Sequence, residues 1–261
     1  MDLATILGLV VGLGCILGGN AMEGGHLQSL LQLTAAIIVL GGTIGATMIS
    51  FPLPVFLKAC KDMKLIFMHK PRDLDKLVSE IAEFAQQARR DGLVSLEGAV
   101  KLASDPFLTK AMMMAIDGAD SNAMRENLEL MMSHSEEEAE KSAKVWEAAG
   151  GFCPTVGIIG AVMGLIHVMQ NLSDVAKVGE GIAVAFVATI YGVATANIFF
   201  LPAANKLKLV AANETMGLAM IIEGAIGIQE GQNPATIKDK LESFFVGHGH
   251  GKQGAKPAAE K

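Results

Sequence analysis

Four stretches of this chain contain no Asp, Glu, Lys or Arg, and each is long enough to cross a bilayer. Leu3 to Gly19 supplies 17 such residues, the short end of a spanning length. After Glu23 no charged side chain appears until Lys58, and Leu30 to Phe51 forms the second run. Ala148 to Ser173 is the third, interrupted only by titratable His167, and Gly181 to Asn205 is the fourth. Backbone placed in lipid must satisfy its own hydrogen bonds, so uncharged runs of this length predict helices. The expected class is all-α, a polytopic membrane protein with four transmembrane helices and a helical cytoplasmic region. The first run lacks a basic leader and follows acidic Asp2, which predicts a retained span rather than a signal peptide.

Basic residues set the orientation. Lys58, Lys61 and Lys64 follow the second run, Lys141 and Lys144 precede the third, and Lys206 and Lys208 follow the fourth. The opposite connections, Asn20 to Ser29 and Asn171 to Glu180, hold one Lys and no Arg. The positive-inside rule therefore predicts a multi-pass inner-membrane protein with both termini and the 58–147 region in the cytoplasm. Residues 1–57 carry spans one and two, and 58–147 form a cytoplasmic helical region. Residues 148–205 carry spans three and four, 206–246 form C-terminal cytoplasmic helices, and 247–261 form a disordered tail rich in Gly, Ala, Pro and Lys.

In the 58–147 region, 13 basic and 17 acidic residues surround a helical apolar pattern: Leu74, Leu77, Val78, Ile81 and Phe84. The spacing predicts helices over 72–90, 95–103, 106–118 and 121–147, the last running on into span three. A further helix is expected from 203 to about 228, and Asn233-Pro234 starts another. The formal net charge of -6 gives no footing for nucleic acid, and Cys15, Cys60 and Cys153 make no metal spacing. No nucleophile–base set, metal cluster or phosphate loop converges, so neither an enzyme nor a cofactor is expected.

The spans are rich in glycine: Gly8, Gly12, Gly41, Gly45, Gly157, Gly160, Gly164 and Gly192. Small residues let helices approach closely in lipid, so these spans are expected to pack against protein on several faces. Ion transport is usually marked by an ionisable side chain inside the membrane. Here it is missing, and His167 lies near the outer end of span three. The remaining polar candidates are Thr155, beside Pro154, and Thr189, near Tyr191. Each threonine can either line a pathway or bond its own preceding turn. If the chain conducts ions, a partner supplies the carboxylate.

Three segments carry a resemblance. They are Pro154-Thr-Val-Gly-Ile-Ile-Gly-Ala-Val-Met-Gly-Leu165, Ala185-Phe-Val-Ala-Thr-Ile-Tyr-Gly192 followed by Pro202, and Arg89-Arg-Asp-Gly-Leu-Val-Ser-Leu-Glu97. Together, in order and over roughly residues 1–246, the chain resembles the MotA/PomA family, the A subunits of the bacterial flagellar stator. The resemblance implies a pentamer of A subunits around a dimer of MotB-like B subunits that supplies the ion-accepting aspartate. It also implies that ion flow turns the rotor through its switch protein, FliG. Arg89, Arg90 and Glu97 match the charged surface that engages the rotor. Pro154 and Pro202 match prolines tied to coupling, and Thr189 matches the threonine facing the partner's aspartate. Thr155, Ala161 and Tyr191 complete the candidate pathway set. In sodium-driven members the position of Ala161 is a threonine, so the resemblance leans to protons, with sodium the alternative. The related ExbB/TolQ energisers and a purely structural membrane scaffold are the competing readings. The ExbB/TolQ group has three spans and starts outside, against four spans and a cytoplasmic start here.

Overall fold

A computed structural model describes residues 3–69 and 71–244, and the described residues are helical with no strand. The expected tail, 247–261, lies outside them. Among the described residues, four helices have the length and apolarity to cross a membrane: α1 (Leu3–Met22), α2 (Leu27–Ser50), α7 (Ser121–Gln170) and α8 (Val175–Gln229). Between them run α3 (Leu53–Met68), α4 (Leu74–Asp91), the short α5 (Glu97–Val100) and α6 (Pro106–Ile116), and α9 (Pro234–Ser243) closes the order.

Local chemistry explains the helix limits. Asp73 caps α4 by accepting the Lys76 amide, and Asp105 caps α6 through the Phe107 and Leu108 amides with Pro106 in the first turn. Asp174 does the same for α8, as does Asn233 for α9. α4 ends at Gly92, whose φ of 83° is left-handed backbone that suits a residue without Cβ. Between Leu93 and Leu96 the chain makes a 3-10 turn before α5. The helix expected over 95–103 is thus a single α-turn, with Ser95 directing its hydroxyl back to the Gly92 carbonyl.

The helix expected from 203 to about 228 does not start anew but continues span four. α8 runs through, with a π segment at Thr195–Phe200 in which the Leu201 amide bonds the Ala196 carbonyl. Proline inside a helix has no N–H and crowds the preceding turn. The widened π turn just before Pro202 accommodates both effects, so the helix survives. A second π segment, Ile37–Gly41, lies within α2.

The chain divides into two compact units. One comprises Met1–Lys70 and Glu137–Ala211, and contains the apolar spans; the other comprises Pro71–Glu136 and Ala212–Lys261. The second unit has a core of large side chains, with Ile81, Leu96, Leu108, Met112, Met220 and Leu241 essentially inaccessible. Burying each such side chain contributes about 1.5–3 kcal/mol. Two ionic clamps tie its helices together. Arg72 bridges Asp105 at 3.2 Å and Glu214 at 2.8 Å. Arg125 holds Glu223 at 2.6 Å, and Lys240 of α9 reaches the same carboxylate at 2.5 Å. Their combined pull lowers the Glu223 carboxyl to about 2.

The membrane unit packs differently. Along α7 and α8 the helices meet at glycine and alanine. A Cβ on Gly192 would lie 2.8 Å from the Cys153 carbonyl and 3.0 Å from the Gly157 Cα. One on Gly164 would lie 2.7 Å from the Gly181 carbonyl. These are backbone-to-backbone approaches that larger side chains forbid. Gly157 and Gly160 are as tight, 2.9 Å from the Ala188 carbonyl and 2.8 Å from the Ala188 Cβ, whereas Gly8, Gly41 and Gly45 have nothing within 4 Å of a built Cβ, and Gly12 meets only Ile198 at 3.8 Å. Among the eight glycines singled out in the sequence, close packing is therefore concentrated at the α7–α8 crossing; Gly42 of α2, whose Cβ would lie 2.7 Å from Val156, adds a close approach to α7.

Candidate functional site

The α7–α8 crossing assembles most of the membrane residues singled out in the sequence. Pro154 sits inside α7, where its ring removes the amide that would bond the Gly150 carbonyl. Its Cα lies 3.3 Å from where a Cβ on Gly192 would be, so the proline faces α8 at a close approach. Thr155 follows on an exposed edge of α7, and its hydroxyl donates to the Phe152 carbonyl at 2.7 Å. Thr189 lies one turn before Gly192, half-buried, and donates to the Ala185 carbonyl at 3.1 Å. Two hydroxyls thus flank one close crossing, each resting on its own helix. Ala161, also half-buried, lies farther along α7 and adds no polar atom.

Two other candidates are placed elsewhere. The Tyr191 phenol donates to the Leu30 carbonyl at 2.5 Å and accepts the Gln32 amide at 3.3 Å. It therefore secures the irregular start of α2, where a 3-10 turn leaves backbone groups without helical partners. Pro202 is exposed and borders a cavity of about 390 Å³ between α1 and α8.

No Asp, Glu, Lys or Arg lies between Ala148 and Ser173 or between Gly181 and Asn205. The wall built around Thr155 and Thr189 can offer hydroxyls and, at Pro154, a carbonyl released from the helix ladder. It has no carboxylate; the titratable side chains on these two runs are Cys153, His167 and Tyr191. Large apolar side chains line its uncovered edges, including Ile158, Ile159 and Val162 on α7 and Phe186 and Val193 on α8.

Sequence reading missed two polar residues. Thr43 and Thr47 of α2 are 0% and 1% exposed, and each bonds a carbonyl one turn back, Val39 at 2.6 Å and Thr43 at 2.8 Å. Their i, i+4 spacing was the available signal, since it places both on one helix face. It also missed the polar seam between α3 and α7. Ser142 donates to Asp62 at 2.6 Å, Trp146 to the Ala59 carbonyl at 3.1 Å, and Lys58 pairs with Glu138 at 2.9 Å. Hydrogen bonds from Lys58 and Lys141 bring the Glu138 carboxyl down to about 2.

In the second unit, Arg89 and Arg90 occupy the exposed last turn of α4, where cations complement the helix dipole. Glu97 opens α5 and pairs with Lys101 at 2.7 Å, which lowers its carboxyl pKa. Among the described residues no ion pair joins Glu97 to either arginine. Arg89 instead borders a small pocket with Gly92, Gln229 and Gln232. The three residues therefore offer separate positive and negative points on an accessible surface.

Known proteins share this organisation throughout. The motility protein A N-terminal family matches residues 6–92, and the MotA/TolQ/ExbB proton channel family matches 99–220. Motility protein A of Helicobacter pylori strain 26695 is 35% identical over 246 residues, covering 94% of this chain and 96% of that protein. The solved structure of C. jejuni MotAB aligns with a TM-score of 0.91 at 33% identity, covering 99% of this chain and 100% of the other. The flagellar MotAB stator complex from Bacillus subtilis aligns at 0.85 and 31% identity, covering 92% and 94%. This chain is a membrane protein and belongs to the MotA/PomA family of motility A proteins.

Proposed function

We propose that this protein is the ion-conducting A subunit of a bacterial flagellar stator, held in the inner membrane with both termini in the cytoplasm. The observation that carries the reading is likeness to the C. jejuni MotAB structure along 99% of the chain. The match of 6–92 to the motility-specific N-terminal family favours a stator over an ExbB/TolQ-like energiser.

The mechanism follows from what the membrane unit contains and lacks. A MotB-like dimer supplies an aspartate against the α7–α8 wall, inside a ring of five A subunits. An ion reaching that carboxylate loses water, and the Thr189 hydroxyl can turn from the Ala185 carbonyl to orient what replaces it. Neutralising the carboxylate removes the cost of holding a charge in lipid, which shifts the position it prefers along the wall. Pro154 weakens the helix ladder at that level and lets α7 respond. The resulting rotation of the A ring acts on FliG through Arg89, Arg90 and Glu97, exposed charges suited to rapid engagement and release. The transported ion is the proton. A methyl at Ala161 gives no ligand to replace sodium's hydration shell, whereas a proton needs only an acceptor. No cofactor or catalytic chemistry enters this scheme.

Swimming of a strain relying on this chain and its native B partner, with sodium and pH varied independently, tests the reading. Motility should persist without sodium and respond to pH, while Thr189→Phe should abolish it with the protein still in the membrane. Sodium dependence overturns the ion assignment. Normal swimming of the Thr189→Phe strain overturns the pathway.

A further inference from the structure

The Tyr191 ring and the Thr189 hydroxyl stand on opposite sides of α8. Successive residues advance by about 100° around an α-helix, so two positions separate their side chains by roughly 200°. Thr189 has Ala185 and Gly192 on one flank and Phe186 and Val193 on the other, at spacings of three and four residues. The first pair packs against α7: a Cβ on Gly164 would lie 3.0 Å from the Ala185 Cβ, and one on Gly192 would meet the Cys153 carbonyl. The second pair is uncovered. Thr189 thus stands at the lip of the α7–α8 seam, next to the open side, while the phenol reaches α2.

Small residues alone hold that lip loosely. Gly157, Gly164, Gly181 and Gly192 bring backbones together, but none presents a side chain that would interlock with the facing helix and set its rotation. Apolar burial is non-directional, whereas a hydrogen bond weakens steeply away from its preferred angle. Among the described residues, the hydrogen bonds that join α8 between Val175 and Leu201 to another spanning helix are the two at Tyr191. The phenol donates to the Leu30 carbonyl at 2.5 Å and accepts the Gln32 amide at 3.3 Å. Both partners lie where α2 begins with a 3-10 turn, before its regular helix starts at Leu33. One bond donated and one accepted by the same oxygen hold α8 against twisting about its own axis. A twist of about 20° would carry a group about 5 Å from that axis through roughly 2 Å. A misplacement of about 1 Å at a reacting centre can cost on the order of a hundredfold in rate.

We propose that Tyr191 is a positioning residue for conduction: its phenol pins α8 to the start of α2 and so fixes the face on which Thr189 meets the partner's carboxylate. It acts from behind the pathway and does not touch the ion. The proposal rests on the stator reading, which supplies the pathway at Thr189.

Tyr191→Phe keeps the ring and removes both bonds. Proton uptake into vesicles holding the purified chain with its B partner should fall about tenfold, the loss expected of a displacement somewhat below 1 Å. The complex should still purify in wild-type yield. A positional readout separates this from plain destabilisation. Disulfide formation between Thr189→Cys and a cysteine replacing the partner's membrane aspartate requires Cβ atoms within about 4.5 Å. Its yield per assembled complex should be high with Tyr191 present and fall in the Tyr191→Phe background. Tyr191→Met, a flexible side chain that fills irregular space without a hydroxyl, serves if the phenylalanine variant does not assemble. Wild-type uptake in these variants, or reduced uptake with an unchanged disulfide yield, overturns the proposal. So does loss of the complex in both, which would make Tyr191 structural. Failure of the stator reading looks different, because Thr189→Phe then conducts normally or the wild-type complex takes up no protons. Failure of this proposal alone leaves Thr189→Phe blocked and Tyr191→Phe conducting.

Discussion

The α7–α8 crossing and the core of the second unit solve the same problem, holding helices together, by opposite means. At the crossing, glycines bring backbones so close that a Cβ on Gly192 would meet Cys153 at 2.8 Å. In the second unit, Leu108, Met112 and Met220 fill the space between helices, and ion pairs such as Arg125–Glu223 fix their surfaces. The difference reflects the solvent. In water, large apolar side chains gain by leaving solvent. In lipid they gain little, so close contact between small residues carries the association. A membrane wall built this way presents small residues and no Asp, Glu, Lys or Arg.

That contrast can be broken from either side. The largest effect is expected from Leu108→Ala, which empties a fully buried site in the second unit and should cost about 2–5 kcal/mol, read as a lower midpoint in thermal unfolding of the purified complex. Gly192→Ala adds a methyl where none fits and should cost about 1–3 kcal/mol through overpacking. If the alanine variant is as stable as wild type, close backbone approach is not what joins α7 to α8.

Acid sharpens the other half of the comparison. Glu223 is held at about 2, below its ordinary value of 4.5. A carboxylate with a lowered folded-state pKa stabilises the fold above its unfolded value, and that contribution is lost as pH falls from 4.5 toward 2. Unfolding curves of Glu223→Gln should therefore be less pH-dependent than wild type in that window. The smallest effect on stability, within about 0.5 kcal/mol, is expected from Arg89→Glu on the open surface. Swimming speed should nevertheless fall sharply while the complex purifies intact. Loss of the assembled complex would instead make Arg89 structural.

Much of this was legible in the sequence because lipid imposes a coarse code. Charge-free runs marked the spans, and Asp105-Pro106 and Asn233-Pro234 marked helix starts that the caps bear out. What escaped were relations between distant segments. The Tyr191 phenol meets Leu30 across 161 residues, and Arg125 meets Glu223 across 98, separations at which no local pattern operates. The eight glycines looked equivalent in sequence, yet packing at Gly157, Gly160, Gly164 and Gly192 differs from open space at Gly8 and Gly41. A new helix was expected from 203 because the π turn that keeps α8 continuous past Pro202 depends on backbone register, which composition does not encode. Thr43 and Thr47 were overlooked because a hydroxyl bonded to its own helix leaves no mark in hydropathy.

The central claim is that this chain forms the wall of a conductor whose ion acceptor belongs to another protein. Proton uptake into vesicles containing the purified chain, alone or with its B partner, measures this most directly. Uptake should appear only with the partner and vanish when the partner's membrane aspartate is changed to asparagine. Uptake by the chain alone, or undiminished uptake with the asparagine partner, would contradict the account.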